Sequence, residues 1–558
     1  MHSNKVLAQL VVATCSRYGI QRVVISPGSR NAPLTVDFSN NSKITSYSVV
    51  DERCAAFFAL GMAQQTQEPV AIVCTSGSAV LNYYPAIAEA FYSNIPLVVI
   101  SADRPAHLID IGDGQTIRQQ NVFENHVLYS VNLEVDATIT ASNTLLRKAL
   151  QAAVVQKGPV HINVPFDEPL YETVAERHPE VSALLTNEAL HAPKQKTSVV
   201  SGLQQEKFQQ AWNSANKKLI LIGVNSSDTA LQEALNLLVE DSSVLVFTES
   251  TSNVYHSKFV HSIDQLIYSL SATEFEALQP DLLVTLGGMV VSKKIKQFLR
   301  KYTPKKHWHI DAIKSMDTYH CLSDFIQASP AAFFKQLDGN SLVKERSYQK
   351  DWLQKKAEKE AGHRTFLAKA PHADVTVVAQ VLQSIPKGSQ LQLSNSSLIR
   401  YTQLFPIDTS LTVFCNRGTS GIDGSTSTAI GAAVASETPT VLLTGDLSFL
   451  YDSNGLWNNY IPSSFRIIVV NNAGGGIFRC IPGPKTTNAL SYFETPHQFT
   501  AEYLSKMYNF AYQSADDAMS LQNALATFYK QGAQPKILEV FTTKDLNDVV
   551  LADYFKSI

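Results

Sequence analysis

The chain has 558 residues, 45% of them hydrophobic and 17% charged, with a formal net charge of −3. That composition describes a well-packed globular protein and excludes a disordered chain. The near-neutral balance excludes a general attraction to nucleic acid or anionic lipid, so any anion site must be built locally.

At the usual ~100–200 residues per domain, the length accommodates about three to four domains. The opening "MHSNKVLAQLVVATCSRYGI" has one lysine and a short apolar stretch and reads as an amphipathic helix rather than a signal peptide. No run approaches the ~18 apolar residues of a membrane span. Six scattered cysteines (Cys15, Cys54, Cys74, Cys321, Cys415, Cys480) form no C-x-x-C pair and read as buried reduced thiols. A soluble, cytoplasmic protein is expected.

Through about residue 185, strand-like "RVVIS", "AIVCTS", "PLVVIS" and "VHINVP" alternate with helical "CAAFFALGMAQQ" and "LLRKALQAAVVQ". Such alternation predicts a parallel sheet covered by helices. The polar stretch 186–202 reads as a linker. A second α/β unit, 203–340, carries "KLILIGV", "SVLVFTES", "DLLVTLGG" and "KHWHID". The charged segment 341–364 reads as a connecting helix with a solvated face. A third unit, 365–558, carries "SQLQLSN", "SLTVFCN", "TVLLTGD", "RIIVVNN" and "KILEVF". The predicted fold class is α/β, with three doubly wound parallel-sheet domains.

Ligands of open parallel sheets bind beyond the carboxyl ends of the strands. There the sequence places "PGSRNAP", "DERCAAF", "SGSAVLN", "ADRP", "NRGTSGIDG", "GDLS" and "NNAGGGIF". These segments gather glycines, an isolated glutamate, four aspartates, five asparagines and four arginines on one edge. Glycines before helix N-termini let backbone N–H groups approach a phosphate. Asp446 and Asn472 end two strands about one crossover apart, and such oxygen donors suit magnesium shared with phosphate and water. Taken singly, Asp446 also reads as a helix cap and the asparagines as a turn. The joint pattern Gly-Asp, 24 residues, Asn-Asn favours the cation.

This pattern resembles the signature of thiamine-diphosphate enzymes, and the resemblance runs along the whole chain. It implies a pyrimidine-binding domain (1–185), a central domain (203–340) and a diphosphate-binding domain (365–558). "GDLSFLYD" departs from the general motif by a leucine in place of a second glycine. With "ISPGSRNAPLT", "ADRP", "IRQ" and "NRGTSGIDG", it is similar to the branch that serves menaquinone biosynthesis. That branch implies decarboxylation of 2-oxoglutarate and addition of the four-carbon unit to isochorismate, with thiamine diphosphate, Mg2+ or Mn2+, and a homodimer or dimer of dimers.

Carried over by position, Asp446, Asn472 and the Gly474 carbonyl would ligate the metal. Ser448 with Gly474, Gly475 and Gly476 would contact the diphosphate. Ile422 would prop the bent cofactor, and Ile477 and Phe478 would line the thiazolium side. Glu52 would promote the imino tautomer that removes the C2 proton, its pKa raised by apolar surroundings, while Asp51 reads as structural. Ser396 and Arg400 would hold 2-oxoglutarate. Ser29, Arg30, Arg104, Gln115, Lys293 and Arg417 would face isochorismate, since guanidinium forks bind carboxylates bidentately. Two positions depart from the branch: Lys294 stands where an arginine is expected, and Gly114 where asparagine is common. The rival readings are an acetolactate synthase or another 2-keto-acid decarboxylase, and a non-catalytic thiamine-diphosphate sensor. A dinucleotide site is disfavoured, because no G-x-G-x-x-G follows the first strand.

Overall fold

The structure, a computed structural model, describes residues 1–186, 202–337, 347–481 and 483–558. The linker read at 186–202 and the start of the charged segment therefore lie almost wholly outside the described residues. Three fully parallel sheets form the scaffold. The first runs in the spatial order Thr45–Ser48, Arg22–Ile25, Val70–Cys74, Leu97–Asp103, Val160–Pro165, Tyr129–Asn132. The third runs Thr412–Cys415, Gln390–Leu393, Thr440–Gly445, Arg466–Asn471, Lys536–Phe541, Ala511–Ala515. Numbered along the chain, both sheets read 2-1-3-4-6-5, so the first and third units repeat one topology that short-range sequence similarity does not reveal. The central sheet has five strands, Val244–Thr248, Lys218–Ile222, Leu282–Leu286, Lys306–Ile310 and Asp324–Ile326, in the order 2-1-3-4-5.

In each sheet the chain winds outward from between its first and third strands, and the loops leaving those strands form the crevice where ligands bind. The crevices are tight. A Cβ on Gly28 would lie 2.3 Å from the Thr75 side chain, and one on Gly223 would lie 1.9 Å from the Gly288 carbonyl oxygen.

The first and third units share a core. Helix Glu52–Thr66 crosses helix Ser425–Ala435 at glycines, and a Cβ on Gly61 would stand 2.0 Å from the Thr428 carbonyl oxygen. Phe57, Phe58, Ile430, Leu442 and Ile467 lie in one continuous apolar cluster across this crossing. Burial of that surface supplies roughly 25 cal/mol per Å². The contact also fixes the Glu52 end of the first unit against the third.

Helix Tyr348–Leu367 does not present a wholly solvated face. Trp352, Lys359 and His363 are buried, and the Lys359 ammonium is satisfied by Ser269 Oγ and the Ile558 carbonyl. All six cysteines are free, but only four are buried, Cys321 and Cys480 being partly exposed. Among the described residues no helix is long and apolar enough to cross a membrane.

Candidate active site

Strands Thr440–Gly445 and Arg466–Asn471 are hydrogen-bonded neighbours with Gly445 opposite Val470. Asp446 and Asn472 therefore leave the third sheet side by side. Asp446 is buried; its Oδ1 accepts from Leu447 N–H at 2.7 Å, and its Oδ2 from Gly474 N–H at 2.9 Å. Burial raises its pKa, and the two backbone N–H groups and His497 oppose that rise. Asn471 serves the turn: its Nδ2 donates to Glu539 at 2.8 Å and its Oδ1 accepts from Ala473 N–H. Asn472 points elsewhere. Its Nδ2 donates to Asp374 Oδ2 at 2.9 Å, while its Oδ1 is buried without a partner. A buried carbonyl oxygen left in that state costs free energy unless something arrives to bind it.

Gly474, at φ +147°, occupies a backbone region closed to side chains, and a Cβ there would meet the Glu494 carbonyl at 2.5 Å. Its N–H serves Asp446, the Gly475 N–H donates to Glu494 O, and the Gly476 N–H to Gly474 O. All three glycine N–H groups are thus paired in this state. Contact between these glycines and a diphosphate through N–H donation requires the loop to exchange those bonds. Ser448 Oγ donates to the Ile422 carbonyl at 2.6 Å, which brings the expected diphosphate residue and the expected apolar prop together. Ile477 and Phe478 follow the glycines in one turn of helix, where Phe478 stacks on Phe493.

Sequence reasoning missed two groups here. His497 Nε2 lies 3.1 Å from Asp446 Oδ2, and Arg479 pairs with Glu494 beneath the glycine loop. The "TPHQF" stretch that carries His497 has no strand or helix pattern to mark it.

Glu52 is the first residue of helix Glu52–Thr66, at the carboxyl edge of the first sheet. Asp51 caps that helix by accepting from Cys54 N–H at 3.1 Å and takes a bond from Asn454, in keeping with its structural reading. Among the described residues no other side chain hydrogen-bonds Glu52. Burial raises its pKa, and the charge on Asp51 adds to the rise. The carboxyl thus holds its proton to higher pH than an exposed glutamate.

The cationic residues form two sets. At the first sheet, Arg30 is 7% exposed; its two terminal nitrogens bind Phe166 O at 2.9 Å and Glu168 at 3.1 Å, and its buried Nε has no partner. Arg104 donates to Asp113 at 2.8 Å and to Ser76 Oγ at 3.0 Å. Ser29 and Gln115 lie exposed on the same edge, Gln115 at φ +59°. Gln119 of "IRQ" holds Gly77 N–H at 2.8 Å and meets Asn163, a buried hub that also binds Asp103. Arg118 points outward to Asp110. A Cβ on Gly114 would meet nothing within 4 Å, so an asparagine would fit there without steric conflict.

At the third sheet, Arg417 donates to Asn395 Oδ1 at 2.6 Å, and its Nε is also buried without a partner. Asn395 Nδ2 ties the same loop through the carbonyls of Asn416 and Gly421. Ser396 holds a strained φ of +71°, and its carbonyl accepts from the Arg400 guanidinium. Burial lowers the pKa of Arg400, and the positive charge of Arg417 adds to that effect. Lys293 begins helix Lys293–Lys301 and is exposed, whereas the Lys294 ammonium sits 4.1 Å from the Tyr268 ring centroid. Glu249, which sequence reasoning also missed, fixes this loop by accepting from the N–H groups of Val291 and Ser292. Its pKa is pushed up to about 7 by burial. Among the described residues no hydrogen bond or ion pair joins the first set to the second, or Glu52 to Asp446 or Asn472.

Residues 5–130 match the family described as "Thiamine pyrophosphate enzyme, N-terminal TPP binding domain". Residues 191–393 match "Middle domain of thiamine pyrophosphate". A 2-succinyl-5-enolpyruvyl-6-hydroxy-3-cyclohexene-1-carboxylate synthase of Flavobacterium johnsoniae is 51% identical over 558 residues, covering 99% of each chain. Its counterpart in Flavobacterium psychrophilum is 52% identical over 553 residues, 99% of this chain and 98% of the relative. The one in Porphyromonas gingivalis is 38% identical over 563 residues, 97% and 95% of the two chains. Matches at this level run the length of the chain and agree with its parallel-sheet architecture: the protein belongs to the 2-succinyl-5-enolpyruvyl-6-hydroxy-3-cyclohexene-1-carboxylate synthase family of thiamine-diphosphate-dependent enzymes.

Proposed function

We propose that the protein decarboxylates 2-oxoglutarate and joins the remaining succinyl aldehyde unit to isochorismate in menaquinone biosynthesis, with its site shared between two chains of a homodimer. The observation that carries the substrate assignment is the pair of buried guanidinium groups, Arg30 and Arg417, each with an unpartnered Nε–H donor at a strand edge. Buried donors of that kind are costly unless an acceptor binds them, and carboxylate-rich substrates supply such acceptors.

Bound thiamine diphosphate supplies a cationic ring that takes up the electron pair released on decarboxylation. The residues present fit that group and its metal. Asn472 Oδ1 is a buried oxygen without a partner, Asp446 is a carboxylate beside it, and the Gly474 carbonyl lies on the same loop. Three oxygen donors suit Mg2+ or Mn2+ completed by phosphate and water. Ser448 and Gly474 to Gly476 would flank the diphosphate, and Ile422, Ile477 and Phe478 would exclude water around the ring. Glu52 would hold a proton at the aminopyrimidine ring and act as the acid–base group. Ser396 and Arg400 would orient the carboxylate of 2-oxoglutarate that survives decarboxylation. Ser29, Arg30, Arg104, Gln115, Lys293 and Arg417 would orient isochorismate. The two-chain site rests on the family resemblance, in which the glutamate and the diphosphate site face each other across a dimer.

The test supplies purified protein with thiamine diphosphate, Mg2+, 2-oxoglutarate and isochorismate, then measures CO2 and the adduct mass. Release of CO2 with a product equal to isochorismate plus the four-carbon unit is expected. Turnover of pyruvate alone at a comparable rate would replace this reading with an acetolactate synthase.

A further inference from the structure

Asn472 owes its orientation to a residue 98 positions earlier in the chain. Asp374, 1% exposed, opens helix Asp374–Ser384 beneath the glycine loop. Its Oδ2 accepts from Asn472 Nδ2 at 2.9 Å, and its Oδ1 accepts from Thr542 Oγ1 at 2.6 Å. Its backbone N–H donates to Asn547 Oδ1 at 2.8 Å, and Asn547 Nδ2 reaches Thr542 Oγ1 at 3.3 Å. A carboxylate can only accept, so only the NH2 end of the Asn472 amide can face it. The carbonyl end must then point the other way, and that oxygen is the buried one without a partner. Turning the amide by half a rotation would set two acceptors against each other and aim an NH2 group at the cation.

We propose that Asp374 is the positioning residue for the metal site, locking the Asn472 amide with its oxygen toward the cation and tying that orientation to Thr542 and Asn547 of the C-terminal segment. The inference rests on the reading of Asn472 as a metal ligand. Outer partners that orient a metal ligand are typically worth about 10–100-fold in affinity.

The test measures Mn2+ affinity by electron paramagnetic resonance, using chelator-stripped full-length protein with saturating thiamine diphosphate. Asp374→Asn keeps the shape and removes the acceptor-only character. It is expected to weaken Mn2+ binding about 10–100-fold, with little change in melting temperature in the absence of metal. Asn472→Ala is expected to weaken binding as well, and the double variant to match Asn472→Ala alone. The double variant also separates orientation from charge, because a simple loss of negative charge near the cation would still register without the amide. Wild-type Mn2+ affinity in Asn472→Ala would refute the ligand reading and this inference together. A loss in Asn472→Ala with none in Asp374→Asn would overturn the inference alone, as would additive losses in the double variant. If Asp374→Asn does not fold, Thr542→Val removes the bond that holds the carboxylate in place. It must then weaken Mn2+ binding in the same Asn472-dependent way, and unchanged affinity would overturn the inference.

Discussion

Arg30 and Arg400 should be separable by the half-reaction each supports. Arg30 spends both terminal nitrogens on Phe166 and Glu168 and leaves one buried Nε–H for a ligand. Arg400 belongs to the third sheet, where Ser396 orients its guanidinium and Arg417 lies close enough to repel it. If Arg30 meets isochorismate through that donor, Arg30→Ala removes one charge-assisted hydrogen bond. Such a bond is worth about 1.5–3 kcal/mol, or roughly 10- to 150-fold in the affected step. The loss should fall on carbon–carbon bond formation and leave CO2 release nearly normal. Arg400→Ala should show a loss of similar size in CO2 release, even without isochorismate. The assay is single-turnover decarboxylation read by an artificial electron acceptor, run beside product formation followed by mass spectrometry. Arg30→Lys controls for lost packing and charge: it restores the cation but not the Nε–H donor, so its defect in bond formation should persist in part. Equal losses for Arg30→Ala and Arg400→Ala in decarboxylation would refute the division of labour.

Glu52→Gln should retain cofactor binding and slow proton exchange at C2 of thiamine diphosphate by ~10²–10⁴-fold, the usual worth of acid–base assistance; an unchanged rate by NMR would remove Glu52 from that role. Asp446→Ala should abolish the Mg2+ dependence of cofactor binding, and wild-type dependence would end the metal assignment. Mixed dimers of Glu52→Gln and Asp446→Ala chains should regain activity, because one of the two shared sites then carries neither change; no recovery in verified heterodimers would place the site within one chain. Acid stability should depend on a buried imidazole. His161 is fully buried beside Ser101, and burial pushes its pKa from 6.5 down to about 3. Its folded pKa lies below the unfolded value, so its contribution is complete above about pH 6.5 and is lost as the pH falls. At pH 5 that loss is about 2 kcal/mol. The melting temperature of His161→Gln should fall less between pH 7 and pH 5 than that of the parent, and parallel curves would refute the assignment.

The sequence made every central strand legible and only some of the edge strands, for a physical reason. "AIVC", "LVVIS" and "RIIVV" lie between two neighbours and under helices on both faces, so they must be apolar almost throughout. Tyr129–Asn132, Asp324–Ile326 and Ala511–Ala515 went unread, each at the end of its sheet, as did the short antiparallel pair His2–Ser3 and Thr173–Val174. Where an edge strand is only partly buried, as in "YSVN" or "AYQSA", it carries no apolar run to detect, whereas the edge strand Val244–Thr248 is buried throughout and its apolar run shows. The repeated 2-1-3-4-6-5 winding was hidden for a related reason. Topology depends on which strand ends meet in space, and that is not written as local similarity.

The candidate site divides in the same way. Groups proposed to meet a ligand sit after strands, where position alone marks them: Asp446, Asn472, Arg30, Arg104 and Arg417. Groups that hold those residues come from distant chain and carry no local pattern. Asp374 reaches Asn472 across 98 residues, and Glu89 reaches the Gly418 N–H across 329. Glu89 is one such group. It sits on an apolar-faced helix, where sequence alone offers a surface carboxylate. In the fold it is 1% exposed and accepts from Gly418 N–H, Thr419 N–H, Thr419 Oγ1 and Ser93 Oγ. A carboxylate has about four acceptor positions, and here all are used. The first unit thereby clamps the loop that carries Arg417 and Ile422 in the third. Binding residues are dictated by the ligand's chemistry and can be read where a strand ends. The residues that aim them are dictated by the fold and become visible only once the strands have been placed.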